Sequence, residues 1–300
     1  MRIAVVDASR VVLKIVSFVL TKAGHDVMGF SSAALALERL RATPVIDVLV
    51  TSLQFEGLSG ADLVRQARAN AGHLRPLYIV VMSSSLDGAT LVEALDSGAD
   101  DFIGKPPVEP ELLARLRVAE RALGLQNELI RLATTDAMTG ALNRRAFFDT
   151  AATFNRTASD AIAIFDIDRF KTINDRFGHA AGDRVIVEVA RAVLARIPLV
   201  GRIGGEEFAA LLPGETLKGA FDLCEALRVD VAKLAFRDID RSLAPTCSFG
   251  VASWSANETA AEALMRADAA LYEAKSAGRD RVVAAGDSAD GRRPDWIPAV

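Results

Sequence analysis

The sequence is poor in the features that mark secreted, membrane-spanning and nucleic-acid-binding proteins. Its two cysteines, Cys224 and Cys247, are far apart among 300 residues, so we expect reduced thiols lining a core rather than a disulfide framework. No apolar run approaches the roughly 20 residues that a membrane-spanning helix requires. The net charge of −4 provides no basic surface for nucleic acid. The first residues enter a strand-like segment without a signal-peptide pattern, which predicts a cytoplasmic protein with neither a membrane nor a nucleic-acid partner.

The composition and the length suit a globular protein of two domains. The chain contains 51% hydrophobic and 25% charged residues, which is ordinary for a soluble protein. We expect a first domain over residues 1–120, a coiled-coil-like helical linker over 121–134 and a second domain over 135–285. The segment 286–300 is rich in Asp, Arg, Gly and Pro and is predicted to be a disordered tail, in which Trp296 has no assigned role.

Residues 1–120 alternate strand-like with helix-like segments. The predicted strands are 2–6, 25–30, 48–51, 77–82 and 101–104. The predicted helices are 11–23, 33–41, 60–70, 87–97 and a long helix from residue 109. This alternation predicts an α/β doubly wound parallel sheet of five strands, with a polar site at the carboxyl ends of the strands. The polar residues at those ends are Asp7, Ser52, Ser83 and Lys105.

The predicted helix over 109–134 carries apolar residues at coiled-coil spacing. Leucine or isoleucine recurs every seven residues, with a second apolar series between, as in a short heptad seam interrupted near residues 124 and 126. The seam consists of Leu116, Leu123 and Ile130, with Leu112 and Ala119 at the other position. The first half of the helix can alternatively pack on its own domain. For the second half, pairing with another chain is the better interpretation.

The segment 202–208 reads RIGGEEF and stands between two apolar runs. Two strand-like runs joined by Gly204-Gly205 predict a β-hairpin in which both glycines take positive φ. Glu206 and Glu207 follow the turn. Adjacent strand residues point to opposite faces, so one carboxylate can face a site while the other is braced behind it. The alternative is a solvated turn with two surface glutamates.

A second acidic group follows the apolar run 161–165. Asp166 is predicted at the end of this strand, with Asp168 just beyond it. Carboxylates at the mouth of a strand, close to those of a hairpin, are typical of a Mg²⁺ site. Arg169 and Lys171 add the positive charge that phosphates require.

The stretch after these acids contains residues suited to a guanine base. Asn174 can bond the acceptor side of the base through its amide, while Asp183 can accept from its N1 and N2 hydrogens. With these residues, the segment FDIDRFKTINDRFGHAAGD at 165–183, followed by RIGGEEF, resembles the GGDEF-domain diguanylate cyclases in their GGEEF variant. DAMTGALNRR, TCSFGVA and RADAALYEAKSAGRDR, at 136–145, 246–252 and 266–281, extend the resemblance over about 132–285.

The resemblance implies an α+β second domain with an adenylate-cyclase-like palm. It also implies an enzyme that acts as a homodimer and condenses two GTP into cyclic di-GMP and two pyrophosphates. The implied cofactor is Mg²⁺, or Mn²⁺, held by Asp166, Glu206 or Glu207 and the carbonyl of Ile167. Either glutamate would assist deprotonation of the attacking 3′-hydroxyl.

The resemblance further implies a GTP site and the loss of a product-inhibition site. Asp168 is expected to be structural. Residues for the phosphates or guanine are Arg169, Phe170, Lys171, Asn174, Asp183, Lys275 and Arg279, with Lys171 also catalytic. The inhibitory Arg-x-x-Asp of the family is replaced by Ala195 and Pro198, so feedback by cyclic di-GMP through that site should be absent.

The first domain resembles the response-regulator receiver domain, most of all in ALDSGADDFIGKPPVEPELLARL at 94–116. Asp7 matches one of the family's two acids, but Ala8 takes the place of the other. Ser52, eight residues before Gly60, replaces the phosphate-accepting aspartate. A serine hydroxyl cannot form an acyl phosphate, and one carboxylate holds Mg²⁺ poorly. We therefore expect a pseudo-receiver in which Ser83 and Lys105 keep only structural roles.

Two other functions are compatible with these patterns. One is a non-catalytic module that binds GTP or cyclic di-GMP and docks on a partner. The other is a scaffold in which the pseudo-receiver is the functional half. In the enzyme, by contrast, we expect the pseudo-receiver to serve dimerisation or control by a protein partner. Degenerate relatives usually lose the hairpin acids, whereas Glu206 and Glu207 are both present, which favours the enzyme.

Overall fold

The computed structural model describes residues 1–42, 46–55, 57–71, 75–85, 87–154, 157 and 159–286. The predicted tail therefore lies, from residue 287 onward and including Trp296, outside the described residues. The chain divides into two compact units, Met1–Arg131 and Leu132–Val300. No helix in the described ranges is both long and apolar enough to cross a membrane.

The first unit is a parallel five-stranded sheet in the order β2-β1-β3-β4-β5, which confirms the predicted doubly wound fold. Its strands are β1 (Arg2–Val6), β2 (Asp26–Phe30), β3 (Val48–Ser52), β4 (Tyr78–Ser83) and β5 (Asp101–Gly104). Its helices are α1 (Arg10–Lys22), α2 (Ala33–Ala42), α3 (Gly60–Ala71), α4 (Gly88–Asp96) and α5 (Glu109–Thr134).

Apolar side chains cover both faces of this sheet. Along β1, Ile3 and Val5 pack on one face with residues of α1 and α5, whereas Ala4 and Val6 pack on the other face with residues of α2 and α3. This alternation follows from the two-residue period of a strand. Since both faces are covered, the polar residues of the sheet are confined to its strand ends.

The first half of α5 packs on its own domain, which is the alternative given above, and the phase of the predicted seam is therefore wrong. Leu112, Leu116, Ala119 and Leu123 are all buried in the core of the first unit. They recur at helical spacing because they form the face of α5 that covers the sheet, and this face is indistinguishable by spacing from a coiled-coil seam. The exposed apolar residues of α5 form a different stripe, at Val118, Leu125, Leu129 and Leu132.

The second unit is a mixed six-stranded sheet in the order β11-β10-β7-β9-β8-β6. Its strands are β6 (Leu142–Asn143), β7 (Asp160–Ile167), β8 (Val200–Arg202), β9 (Glu207–Pro213), β10 (Cys247–Ser253) and β11 (Val282–Ala284). Its helices are α6 (Arg144–Thr153), α7 (Phe170–Phe177), α8 (His179–Leu194), α9 (Leu217–Ala232) and α10 (Ala260–Ser276). The predicted α+β class is confirmed.

Three stacked phenylalanines fix the register of the central strands. The ring of Phe165 on β7 lies 5.1 Å from that of Phe208 on β9 and 5.0 Å from that of Phe249 on β10. All three are buried and directly paired across the strands. Because β7 pairs antiparallel with both neighbours, the next register position sets Asp166 between Glu207 and Ser248.

The two faces of β7 are buried against different helices. Ala161, Ala163 and Phe165 pack with residues of α8 and α9, and Ile162 and Ile164 pack with residues of α6 and α10. Asp166 therefore falls on the α10 face. The two cysteines are buried and unpaired in the α8–α9 core, as predicted.

Candidate active site

Asp166 is a buried carboxylate at the carboxyl end of β7. Its residue is only 7% exposed, and the ammonium of Lys275 on α10 lies 3.0 Å from its Oδ2. Burial raises the pKa of Asp166 to about 6, although Lys275 opposes the shift, and the nearby Glu206 and Glu207 raise it further. The site thus gathers three carboxylates, with Lys275 as the one cation in ion-pair contact with Asp166 among the described residues.

Asp168, two residues further on, has its carboxylate fully engaged. Its Oδ1 accepts a hydrogen bond from the Ser248 hydroxyl at 2.7 Å. Its Oδ2 accepts from the Thr246 hydroxyl at 2.7 Å and from the backbone N–H of Asp280 at 3.0 Å. The Asp168 carboxylate therefore joins the ends of β7 and β10 to the segment between α10 and β11.

Strands β8 and β9 form the predicted hairpin, but its glycines do not behave as expected. Neither Gly204 nor Gly205 has a positive φ. The turn is longer than two residues, since Ile203 and Gly204 both donate to the carbonyl of Glu207, at 2.9 and 3.2 Å. A Cβ at position 204 would lie 2.5 Å from Glu207 Oε2, so a larger residue there would displace the Glu207 carboxylate from its present position. The carboxylate of Glu207 therefore folds against the turn.

Arg202 and Asp136 brace this hairpin, and the sequence analysis gave neither residue a role. The Arg202 guanidinium donates from Nε and Nη2 to the carbonyl of Gly205, at 3.0 and 2.7 Å, and forms an ion pair with Asp136 at 3.1 Å. Burial tends to raise the pKa of Asp136, but hydrogen bonds from Thr139 and Arg202 outweigh it and lower the pKa. Asp136 lies in the segment DAMTGALNRR and Arg202 in RIGGEEF, and both segments carry the resemblance to the family. This membership was the one signal in the sequence that pointed to these two residues.

The segment after Asp168 turns sharply into α7. Arg169 occupies the left-handed region at φ 53°, and α7 begins without a side-chain cap. The first N–H groups of such a helix lack intrahelical acceptors and favour an anion. Lys171 is exposed in the first turn, while the ring of Phe170 is buried in the core, so only its backbone is suited to a ligand.

Asn174 and Gly182 mark the closest approach of α7 to α8. The Oδ1 atom of Asn174 is buried and has no hydrogen-bond partner among the described residues. A Cβ at Gly182 would lie 1.9 Å from this atom, so glycine is required for the approach. Asp183 is the next residue of α8 and is exposed. The structure thus places the unpartnered Asn174 oxygen against Gly182, the residue before Asp183, and a guanine site there stays a prediction.

The end of α10 contributes two of the predicted phosphate ligands. Lys275 pairs with Asp166, as described above. Arg279 follows the helix with φ 68° and has no ion-pair partner within the described parts of the chain. Ala195 and Pro198 flank Arg196 just after α8, and Arg196 forms an ion pair with Asp230 of α9.

The carboxylates fit the metal that the resemblance implies. Over the described residues, no three His, Cys, Asp or Glu side chains converge into a complete metal site. Mg²⁺ does not need them, because it usually takes one or two carboxylates and fills its shell with water and substrate phosphates. Asp166 supplies one buried carboxylate at the end of β7, and Glu207 lies directly across from it in the strand register. Ile167 is the last residue of β7, and its N–H donates to the Glu206 carbonyl at 3.3 Å.

The polar site of the first unit is closed by an internal ion pair. The Lys105 ammonium lies 2.5 Å from Asp7 Oδ2 and donates to the Ser52 hydroxyl at 2.6 Å. Asp7 and Ser52 are 1% and 2% exposed, which leaves little room for a ligand. Ser83 is also buried and accepts from the N–H of Ser85 at 3.1 Å, whereas Ala8 is exposed.

Comparison with known proteins assigns both units. Residues 133–281 match the family described as diguanylate cyclase, GGDEF domain, and residues 3–117 match the response regulator receiver domain. The crystal structure of the coiled coil and GGDEF domain of DgcB from Caulobacter crescentus in complex with c-di-GMP is 36% identical. It superposes with a TM-score of 0.51, over 59% of this chain and 98% of that one.

Two curated relatives extend the similarity. Diguanylate cyclase DgcM of Escherichia coli is 43% identical over 169 residues, which cover 54% of this chain and 40% of DgcM. Response regulator PleD of Caulobacter vibrioides is 30% identical over 263 residues, which cover 82% of this chain and 58% of PleD. The chain therefore spans less than two thirds of either relative.

A mixed sheet with an acidic strand end opposite a GGEEF hairpin thus defines the class, and the chain belongs to the GGDEF domain family. Its first unit is a response-regulator receiver domain joined to that GGDEF domain.

Proposed function

We propose that this protein is a diguanylate cyclase, which converts two GTP into cyclic di-GMP and two pyrophosphates. The observation that carries the proposal is the buried Asp166, held opposite the hairpin acids by the strand register. Asp166, Glu206 and Glu207 carry more negative charge than Lys275 balances, and Asp166 is largely shielded from water. Such a site favours a divalent cation that arrives with a triphosphate.

Asp166 and Glu206 or Glu207 would hold Mg²⁺ or Mn²⁺, with the Ile167 carbonyl as a further donor. The bound ion supplies Lewis-acid stabilisation of the charge that develops on the phosphate oxygens. Asp168 would not be a ligand, since its three hydrogen bonds occupy it. Glu207 lies directly across from Asp166, and Glu206 exerts the larger effect on the pKa of Asp166. Either glutamate can therefore take the proton of the attacking hydroxyl.

The phosphates would be bound by the start of α7 and by cationic side chains. The uncapped N–H groups of Phe170 and Lys171 favour an anion, and Arg169, Lys171 and Arg279 supply charge. Lys275 would turn from Asp166 to the phosphates when the metal takes its place. Catalysis of phosphoryl and nucleotidyl transfer depends mainly on positioning and on charge stabilisation. We therefore expect these contacts to make the main contribution of the chain to catalysis.

The guanine base would lie at the α7–α8 contact. The Asn174 amide would donate to a guanine acceptor, and its unsatisfied Oδ1 would accept a guanine N–H. An unpaired buried acceptor costs about 1–3 kcal/mol, which a bound base would recover. Asp183, beside Gly182, would accept from the N1 and N2 hydrogens. An adenine base offers a different donor pattern, so we expect GTP to be preferred over ATP.

Two GGDEF domains must face each other for the reaction. The 3′-oxygen of one GTP attacks the α-phosphorus of the other, the new P–O bond forms, and the bond to pyrophosphate breaks. The second condensation repeats this step in the opposite direction. We infer a homodimer held partly through the stripe of Val118, Leu125, Leu129 and Leu132. Together with Ala122, these residues alternate in steps of four and three, which is the heptad spacing.

A charge placed in this stripe tests the dimer. Leu125→Glu with Leu129→Glu should convert the full chain to a monomer in light scattering and reduce turnover at equal concentration. The matched control is Asn127→Glu, an exposed position that points away from the stripe. A monomeric parent with full activity, or a dimer unaffected by the two charges, would contradict the inference.

Two regulatory features of relatives are expected to be absent. We propose a receiver that cannot accept phosphate and that serves dimerisation or binding of a protein partner, because Ser52 cannot form an acyl phosphate. We also propose that cyclic di-GMP does not inhibit through the site lost at Ala195 and Pro198. Addition of cyclic di-GMP to the turnover assay should leave the rate unchanged, and submicromolar inhibition would overturn this expectation.

The activity itself is tested with purified full-length protein. Incubation with GTP and Mg²⁺ or Mn²⁺ should yield cyclic di-GMP and pyrophosphate, identified by chromatography and mass spectrometry. A protein that binds GTP without product would instead be the non-catalytic module. Failure to bind GTP at all would overturn the proposed function.

A further inference from the structure

A second network of charged side chains holds the segment between α10 and β11, which includes Arg279, and its members are half-buried or exposed. Three consecutive residues there have positive φ: Gly278 at 118°, Arg279 at 68° and Asp280 at 47°. Gly278 ends the helix in the usual way, with the N–H of Arg279 donating to the Ala274 carbonyl at 3.0 Å. Arg279 and Asp280 gain no such advantage, since side chains with a Cβ are strained in this region.

Contacts on both sides of Asp280 stabilise the strained turn. Its backbone N–H donates to Asp168 Oδ2 at 3.0 Å, and its carboxylate Oδ1 accepts from Arg228 Nη1 on α9 at 2.8 Å. Arg228 is itself held by Glu225, at 2.9 Å from Nε and 2.6 Å from Nη2. The hydrogen bonds that Arg228 donates to the Glu225 carboxylate are the main cause of the raised pKa of Arg228, and the bond to Asp280 raises it further.

The position of this network, rather than its strength, points to a role in the reaction. Asp280 is tied to Asp168, and Asp168 follows the β7 end that carries Asp166. Arg279 is the residue directly before Asp280, and its guanidinium has no ion-pair partner in the described chain. The Arg279 backbone is held in place by its neighbours, and its side chain has no ion-pair partner. Such a side chain is pre-organised to bind an anion, because less conformational entropy is lost on binding.

We propose that Arg228 and Asp280 are positioning residues, which hold the backbone of Arg279 so that its guanidinium meets the phosphates of bound GTP. This inference rests on the proposed function. It assigns to α9, which bears none of the predicted ligands, a role in phosphate affinity. Neither residue contacts the nucleotide, so both act only through Arg279.

The test compares binding of two probes by calorimetry, without turnover. The probes are guanosine and a GTP analogue with a methylene group in place of the α,β-bridging oxygen, the latter with Mg²⁺. In Arg228→Met and in Asp280→Gly we expect the analogue to bind about tenfold more weakly, as for the loss of one charged hydrogen bond. Guanosine affinity should not change. Asp280→Gly can adopt the same positive φ and can still donate its N–H to Asp168, but it lacks the carboxylate that binds Arg228.

Two further variants separate positioning from general stability. Glu225→Gln weakens the other partner of Arg228 and leaves Asp280 untouched, so it should bind the analogue like the parent. In an Arg279→Met background, Arg228→Met should cause no further loss, because residues that act through one another are not additive. Additive losses, or equal losses for guanosine, would overturn the proposal. A parent that fails to bind the analogue would overturn the proposed function and this inference with it.

Discussion

Each unit of this protein places a buried aspartate beside a lysine at the ends of its strands, yet only one of the two sites is suited to a metal. In the receiver, Lys105 lies 2.5 Å from Asp7 and also binds Ser52, so one ammonium stands against one carboxylate. In the GGDEF domain, Lys275 lies 3.0 Å from Asp166, but Glu206 and Glu207 add two negative charges. The ratio of carboxylates to lysines, rather than burial, distinguishes the sites.

The largest test of this comparison is the same substitution at both aspartates. Asp166→Asn should lower turnover about a thousandfold, because several kcal/mol of charge stabilisation are lost and each 1.36 kcal/mol is a factor of ten. Asp7→Asn should leave turnover within about twofold of the parent, because Asp7 lies in the first unit and we expect no metal to bind there. Circular dichroism should establish that both variants are folded. Parent-like turnover in Asp166→Asn would refute the metal assignment.

The second test removes the lysine from each pair. In Lys275→Gln we expect Mn²⁺ to bind about fivefold more tightly without nucleotide, since a competing charge worth about 1 kcal/mol is gone. The same variant should bind GTP more weakly, because a phosphate ligand is lost. Lys105→Gln should not create a Mn²⁺ site in the receiver. Titration with Mn²⁺ by calorimetry measures both, and weaker Mn²⁺ binding in Lys275→Gln would contradict the exchange of lysine for metal.

The third test uses the pKa of Asp166 in metal-free protein. Because the pKa rises from 3.8 to about 6 on folding, the folded state holds this proton more tightly than the unfolded chain. Its contribution to stability is complete below pH 3.8 and is lost as the pH rises through about 6. Asp166→Asn cannot ionise, so its stability relative to the parent should increase over that interval and then level off.

Urea unfolding in EDTA at a series of pH values, followed by tryptophan fluorescence, measures this difference. Subtraction of parent from variant cancels the groups that titrate in both proteins. A difference that does not vary with pH would mean that folding leaves the ionisation of Asp166 unchanged.

The smallest expected effect is at the receiver, where beryllofluoride should change neither the mass nor the turnover of the parent. Ser52→Asp with Ala8→Asp restores an acceptor and a second acid, and should displace Lys105 from its present partners. If beryllofluoride changes the mass or the turnover of this double variant but not of the parent, the two substituted positions account for the lack of response in the parent. A response of the parent would show that the closed site still accepts the ligand.

Local patterns predicted most of the two folds. Alternation of strands and helices along 1–120 is a property of neighbouring residues, and the apolar run 161–165 before Asp166 marks a buried strand by itself. The hairpin was predicted from Gly204-Gly205, although neither glycine has the positive φ that the prediction assumed. These elements could be predicted because the pattern that identifies each of them lies within about ten consecutive residues.

Features that depend on distant partners were missed. The phase of α5 was wrong because a face that covers a sheet and a face that pairs with a second helix share one spacing. The ion pairs Arg202–Asp136 and Arg228–Asp280 join residues 66 and 52 positions apart, and no local pattern announces such a pair. The spacing of charged residues on a helix predicts only neighbours, such as Arg228 and Glu225.

The Asp168 carboxylate also has a consequence for biosynthesis. It joins Ser248, 80 residues downstream, and Asp280, 112 residues downstream, in one small cluster. Pairings of such long range are slow to form, and a ribosome adds only about 5–20 residues per second. A nascent chain that ends just after the GGEEF hairpin still lacks β10 and the turn that contains Arg279. The Asp168 carboxylate then has none of the hydrogen-bond partners that hold it in the folded domain. The contacts of the Asp168 carboxylate can therefore be completed only after residue 280 has left the ribosome.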